Sequence, residues 1–262
     1  MRAAMAMMRA ISALPRGERR AFSPTMRRAL LLLLALCTLP LAPLRAADRV
    51  NPAGSGEFVI VAGGVSLWVW EKWKAQPHDN WWMNFVRASR IRIEEIRAAQ
   101  PDAQITWLVF RPAYVTRAKQ ENNDLVSHIQ SVRDAYRVKL VWFDSTSDLI
   151  GYLNAGQDRG RVKIANLEFF GHSNKACWMF DYSNMIDSAS KVWLHEKDLG
   201  QIRRGIFSRD AFVKSWSCHT GESMSVKWKS ATGVPMIAAV GKTQYMTHEL
   251  PTLSSATGRW TR

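Results

Sequence analysis

Short runs of apolar, largely β-branched or aromatic residues recur along this chain, with helical patterns between them. The runs cover 58–62, 105–110, 139–143, 162–168, 211–214 and 234–240. Most are continuously apolar rather than alternating, as expected of strands buried on both faces. Between them, Phe85, Ala88, Ile91, Ile93 and Ile96 recur near helical spacing over 81–99, and Pro101 ends that helix. Asn122-Asn123-Asp124 caps a helix over about 124–136, and Ser145 to Ser147 caps a short one ending near Gly156. Further helices are expected near 194–204 and from Gly221 to about 231, and the alternation over 177–182 predicts a small hairpin. Strands alternating with helices imply an α/β fold around a mostly parallel, layered sheet.

Residues 1–47 differ in character. Arg27-Arg28 precedes a Leu/Ala-rich run over 29–36, then Pro40, Pro43 and the small pair Ala46-Ala47. This is the pattern of an export signal, with an apolar stretch too short to span a bilayer. The pattern is complete from Met26, which can serve as the start. Arg19-Arg20 weakly resembles a twin-arginine signal, and Leu36 before Cys37 is bulkier than a lipid-attachment motif takes. The expected destination is a periplasm or the cell exterior. Residues 48–56 read as a linker, 57–245 as one α/β domain and 246–262 as a tail. Eight of the 36 basic residues and one of the 22 acidic ones precede residue 48, so the remainder carries 28 against 21, a net +7 rather than +14. Such an interspersed charge makes no nucleic-acid footprint. No second apolar stretch is long enough for a stable membrane span.

Two strings carry the chemistry. Phe169-Phe170-Gly171-His172-Ser173 follows one apolar run, and Trp216-Ser217-Cys218-His219-Thr220-Gly221 follows another. In open α/β sheets, ligands bind outside the carboxyl ends of the strands. An imidazole and a thiol placed there are the minimum equipment for nucleophilic catalysis. Strand-Gly-His followed by strand-Ser-Cys-His-Thr-Gly resembles the caspase-like cysteine peptidases, most closely the metacaspase pattern and more weakly the legumain type. The resemblance implies a three-layer sandwich with helices on both faces of the sheet. It implies His172 as general base and acid, and Cys218 as nucleophile. The backbone amides of Ser173 and Cys218 would form an oxyanion hole. Gly171, Ser217, His219 and Gly221 would support the motif, and no cofactor would be needed. Peptides or proteins would be the substrates.

The chain departs from the family in two places. Ser173 replaces the glycine after the histidine, and Trp216 replaces the acid two residues before the cysteine. The resemblance therefore does not carry basic-residue specificity; Trp216 is a candidate to line an apolar substrate pocket instead, although Trp107, Trp142 and Trp216 lie on predicted strands and read as core. Other readings compete. Cys177 and Cys218 can pair as a disulfide in a non-catalytic exported domain whose Trp-rich region binds a partner. Gly171-His172-Ser173-Asn174-Lys175 half-matches a serine-hydrolase elbow, with Asp210 and His248 following in order. Zinc held by His172, Cys177, Cys218 and His219 lacks the usual ligand spacing. Trp68, Trp70, Trp73, Trp81 and Trp82 fall in the least regular region and are expected to cover the sheet. Glu94-Glu95 reads as a solvated helix face.

Overall fold

Six parallel strands and one antiparallel edge strand form the centre of the molecule in the computed structural model, which describes residues 56–68, 81–181, 191–245 and 248–261. The expected export signal at 1–47 and most of the linker at 48–56 lie outside the described residues, as do Trp70 and Trp73. Strand β1 is Glu57–Ala62, β2 Gln104–Phe110, β3 Lys139–Phe143 and β4 Ile164–Phe170. A small sheet follows, of β5 (His172–Ser173), β6 (Cys177–Met179) and β7 (Trp193–His195). The large sheet resumes with β8 (Phe207–Ser215) and β9 (Ile237–Val240). Beyond them lie the short strands β10 (Thr243–Gln244), β11 (Thr252–Leu253) and β12 (Arg259–Trp260).

The order across the central sheet is β3-β2-β1-β4-β8-β9-β12, and only β12 runs antiparallel. The chain therefore steps outward from β1 to β3, returns beside β1 as β4, and steps outward the other way. The reversal falls between β1 and β4, where a doubly wound sheet opens its crevice.

Among the described residues, five helices complete the layers: α1 Asn84–Ala99, α2 Arg111–Glu121, α3 Leu125–Tyr136, α4 Thr146–Ala155 and α5 Met224–Thr232. Alternate residues of β1 enter different cores. Phe58, Ile60 and Ala62 pack with Phe85, Ile93 and Ile96 of α1 and with Ile129 of α3. Val59 and Val61 share the other core with Leu149 and Leu153 of α4 and with Met224 and Trp228 of α5. Helices thus cover both faces, an arrangement compatible with a three-layer sandwich.

Local chemistry explains most boundaries. Asp124 accepts the Ser127 amide as the cap of α3. Ser145 and Asp148 form a reciprocal capping box on α4. Helix α2 was not foreseen, because Pro112 reads as a strand stop. It is also a favoured first-turn helix residue, and here it opens the helix. Asn122 then closes α2 in the left-handed conformation (φ 48°) that Asn tolerates.

Three expectations need correction. The helix near 194–204 is absent: Trp193–His195 pairs with Cys177–Met179 as β7, and only a 3₁₀ turn at Leu199–Gln201 follows. Gly200 and Gly205, the latter at φ 83°, disfavour a longer helix. The hairpin after His172 is a three-stranded sheet that includes His172 itself. The segment read as a tail supplies β11 and β12, and β12 pairs with β9 through Trp260 and Ala239. Among the described residues, no helix is long and apolar enough to cross a membrane.

Candidate functional site

Strands β4 and β8 pair in parallel, and their last partners are Phe169 and Ser215. His172 and Cys218 each lie three residues beyond that pair. Both residues therefore lie just past the carboxyl ends of neighbouring strands, at the same edge of the sheet. Two further bonds carry the pairing toward this edge: Gly63 N–H donates to Phe170 O, and Trp216 N–H to Phe169 O, at 2.8 and 2.9 Å. Both site residues are half-buried.

His172 opens β5 and is held from two sides. Its Nε2 lies 3.2 Å from Ser66 Oγ, on the loop that leaves β1. The Phe85 ring of α1 meets the imidazole edge-on, with centroids 4.9 Å apart. Ser66 is itself fixed, because Arg117 of α2 donates through Nη1 to its carbonyl at 2.5 Å. Gly64 lets this loop run close to its neighbours: a Cβ there would fall 2.5 Å from Phe180 O. Ser66 is fully buried, so it suits orienting the imidazole rather than attacking a substrate.

Cys218 sits in a turn that runs to residue 223. The Thr243 N–H donates to its sulfur at 3.3 Å, and Thr243 Oγ1 lies 3.5 Å away. Among the described residues no hydrogen bond joins Cys218 to His172, and catalytic contacts are commonly loose before substrate arrives. A helix dipole gives Cys218 no help. Helix α5 starts only at Met224, and the macrodipole acts within the first turn.

The two amides expected to receive an oxyanion are differently placed but similarly available. Asn174 N–H donates to Cys177 O, which makes Asn174 and Cys177 a hydrogen-bonded antiparallel pair. Bonding alternates along such a ladder, so the next pair, Ser173 and Trp178, exchanges no bonds. The Ser173 N–H therefore points away from β6, on the free edge of the small sheet. The Cys218 N–H meets no acceptor among the described residues.

The motif's remaining residues do structural work. Gly221 does not adopt positive φ. It allows close approach instead, since its N–H donates to Ala239 O at 2.8 Å and a Cβ would meet Ala238 O at the same distance. The left-handed residue is His219, at φ 62°. Its Nδ1 lies 2.6 Å from Glu222 Oε1, and Glu222 also accepts the Gly241 amide. The His219 contact, followed by that amide, lowers the Glu222 pKa below the usual carboxylate range. Ser217 is buried and bonds Ser215 at 2.7 Å. Gly171 packs against Phe169, and its N–H donates to Tyr245 OH at 2.9 Å.

Trp216, a candidate for a substrate pocket, lies in the core at 2 % exposure. It stacks on Phe170, donates to Glu168 Oε2 at 2.7 Å and receives the Lys214 ammonium on its ring face. Trp107 is also core, and Trp142 packs against it. Trp82 is buried, whereas Trp68 and Trp81 are exposed.

Cys177 and Cys218 are both free thiols. The Cys177 sulfur donates to Asn174 Oδ1 at 3.3 Å, and burial pushes its pKa up to about 11. The serine-hydrolase triad does not assemble. Ser173 Oγ donates to the Cys218 carbonyl. Asp210 lies five residues before the end of β8, about 16 Å down the strand. Among the described residues, no group of three or more His, Cys, Asp or Glu could hold a metal ion. Two open surface depressions, of about 530 and 550 Å³, lie around Pro101 and Asp102 at the opposite, amino-terminal edge of the sheet.

Sequence reasoning missed Ser66, Phe85, Thr243 and Tyr245. A signal for two of them was present, since Ser66 and Thr243 each lie in a segment that glycine opens just after a strand, Gly63-Gly64 after β1 and Gly241 after β9. Compared with known proteins, the chain matches no family model, no curated protein and no solved structure.

Proposed function

We propose that the protein is an exported, caspase-like cysteine hydrolase that cleaves peptide bonds through Cys218 and His172. One observation carries the reading: both residues stand three positions beyond the same paired rung, beside the sheet's reversal point. Two amides support it, since donors are needed where negative charge develops: the Ser173 N–H, which faces away from β6, and the Cys218 N–H, which meets no acceptor among the described residues. The partial exposure of Cys218 beside the fully buried Ser66 favours sulfur as the nucleophile.

In the first step His172 takes the thiol proton and the sulfur attacks the scissile carbonyl carbon. The resulting oxyanion is met by the two amides. The carbon–nitrogen bond then breaks, His172 gives its proton to the leaving amine, and a thioester remains on Cys218. Water attacks that thioester, losing a proton to His172. The carbon–sulfur bond breaks, and the thiol regains the proton as the acid leaves. Ser66 keeps the imidazole aligned throughout.

The test is digestion of a diverse peptide mixture, with new amino termini read by mass spectrometry. The wild-type protein should generate termini that C218A does not. Turnover that survives in C218A overturns the proposal.

A further inference from the structure

The three residues Thr243-Gln244-Tyr245 touch the Cys218 sulfur and the immediate neighbours of His172. At one end, Thr243 places its N–H against the Cys218 sulfur at 3.3 Å. At the other, the Tyr245 hydroxyl accepts the Gly171 N–H at 2.9 Å and faces the Gly171 carbonyl at 3.4 Å. Gly171 is the residue immediately before His172. The Tyr245 ring also meets Phe85 edge-on at 4.8 Å, and Phe85 meets the His172 ring at 4.9 Å. One short strap thus grips the sulfur directly and the imidazole through its backbone neighbour and its ring neighbour.

The strap is anchored independently of both. Strand β10 pairs with β11 through Thr243–Leu253 and Gln244–Thr252. Ahead of it, the Gly241 amide is held by Glu222, and the Gly241 carbonyl accepts the His219 N–H at 2.8 Å. Glu222 therefore ties the turn carrying Cys218 to the root of the strap.

Building on the cysteine-hydrolase reading, we infer that Thr243 and Tyr245 are positioning residues that set Cys218 and His172 relative to each other. The amide of Thr243 supplies a donor suited to the thiolate that attacks. Tyr245 acts through Gly171 and Phe85 on the angle of the imidazole.

The experiment measures the rate and pH profile of iodoacetamide labelling at Cys218, which needs no substrate. It compares wild type, Y245F, H172A and the double variant. Y245F retains the ring and removes only the hydroxyl, so unfolding is not expected; thermal melting checks this. The expected result is labelling slowed about three- to tenfold in Y245F, the scale of one lost hydrogen bond. The pH profile should move toward that of H172A, and Y245F should add nothing in the H172A background, because it acts through the imidazole. If Y245F labels like wild type while H172A is slow, the strap inference fails and the dyad stands. An additive loss in the double variant also overturns it, since Tyr245 would then act apart from His172. If H172A labels as fast as wild type, the dyad reading itself falls and the strap's role falls with it.

Discussion

Polar residues cluster at both edges of the same sheet, and the two clusters are built on opposite terms. At the amino-terminal edge Glu57 is fully buried, and its carboxylate meets Thr106, Tyr152 and Arg159 at 2.5 to 2.6 Å. At the carboxyl edge His172 and Cys218 are half-buried, His172 Nε2 stands 3.2 Å from Ser66 Oγ, the Cys218 sulfur accepts the Thr243 N–H at 3.3 Å, and the Cys218 N–H meets no acceptor among the described residues. The first edge holds its buried carboxylate in bonds to neighbouring side chains. The second leaves an imidazole and a thiol partly exposed, as the proposed chemistry requires. Glu168 shows that sequence position is not what separates the two. It lies on β4 two residues short of the carboxyl end, yet it is fully buried and bonded to Arg92, Asn166 and Trp216.

Exchanging the roles of the two edges by mutation breaks this contrast most directly. C218A should lower peptide turnover about 10⁴-fold or more while leaving the melting temperature nearly unchanged. E57A should do the reverse. Leaving Arg159 buried without its partner should cost about 3–5 kcal/mol in denaturant unfolding. Labelling of Cys218 in the remaining folded protein should match wild type. An E57A variant that stays stable but loses Cys218 reactivity would contradict the division of labour.

The two cysteines sharpen the comparison within one region. Burial holds the Cys177 thiol at about 11, so at pH 8 only about one molecule in a thousand presents its thiolate. Peptide mapping after brief alkylation at pH 8 should show Cys218 modified at least about a hundredfold faster. Comparable rates would mean that the Cys177 site opens freely. A smaller effect is expected at Ser66. S66A should slow His172-dependent labelling of Cys218 about three- to tenfold, the scale of one hydrogen bond. An unchanged rate would remove Ser66 from the site.

The smallest effect concerns pH. Contact with His219 and the Gly241 amide lowers the Glu222 pKa in the folded state. Its contribution to stability is therefore complete above the unfolded carboxylate range and lost as pH falls through the lower folded value. E222Q should lack that part of the acid-limb slope, read from urea midpoints between about pH 6 and 3. An identical slope in both proteins would mean that the contact contributes nothing in solution.

The alternation of apolar runs with helical patterns was enough to place β1 to β4, β8 and β9 and four of the five helices. Glycine after apolar runs marked His172 and Cys218 as strand-end residues. Each of these signals is local: a buried strand needs a continuous apolar run, and a sharp exit needs glycine or a polar turn. Partnerships between distant segments were not legible in the same way. Ser66 meets His172 across 106 positions, and Thr243 meets Cys218 across 25. For Trp216 the sequence leaves two readings open, a substrate pocket because it lies near Cys218 and the core because it lies on a predicted strand. Its side chain in fact faces the other core, where Phe170, Glu168 and Trp260 await it.

The failed helix at 194–204 teaches the same lesson, since Trp193–His195 is drawn into a sheet by Cys177–Met179. Local patterning by itself determined the α/β class, the strand ends and the two chemical groups placed there, because propensity and punctuation act over a few residues. The tertiary structure alone decided strand order, the contact of Ser66 with His172, the contacts of Thr243 with Cys218 and of Tyr245 with Gly171, and which reading of Trp216 holds. Those depend on which distant segments pack together, and packing free energy is shared among residues that no short stretch of sequence contains.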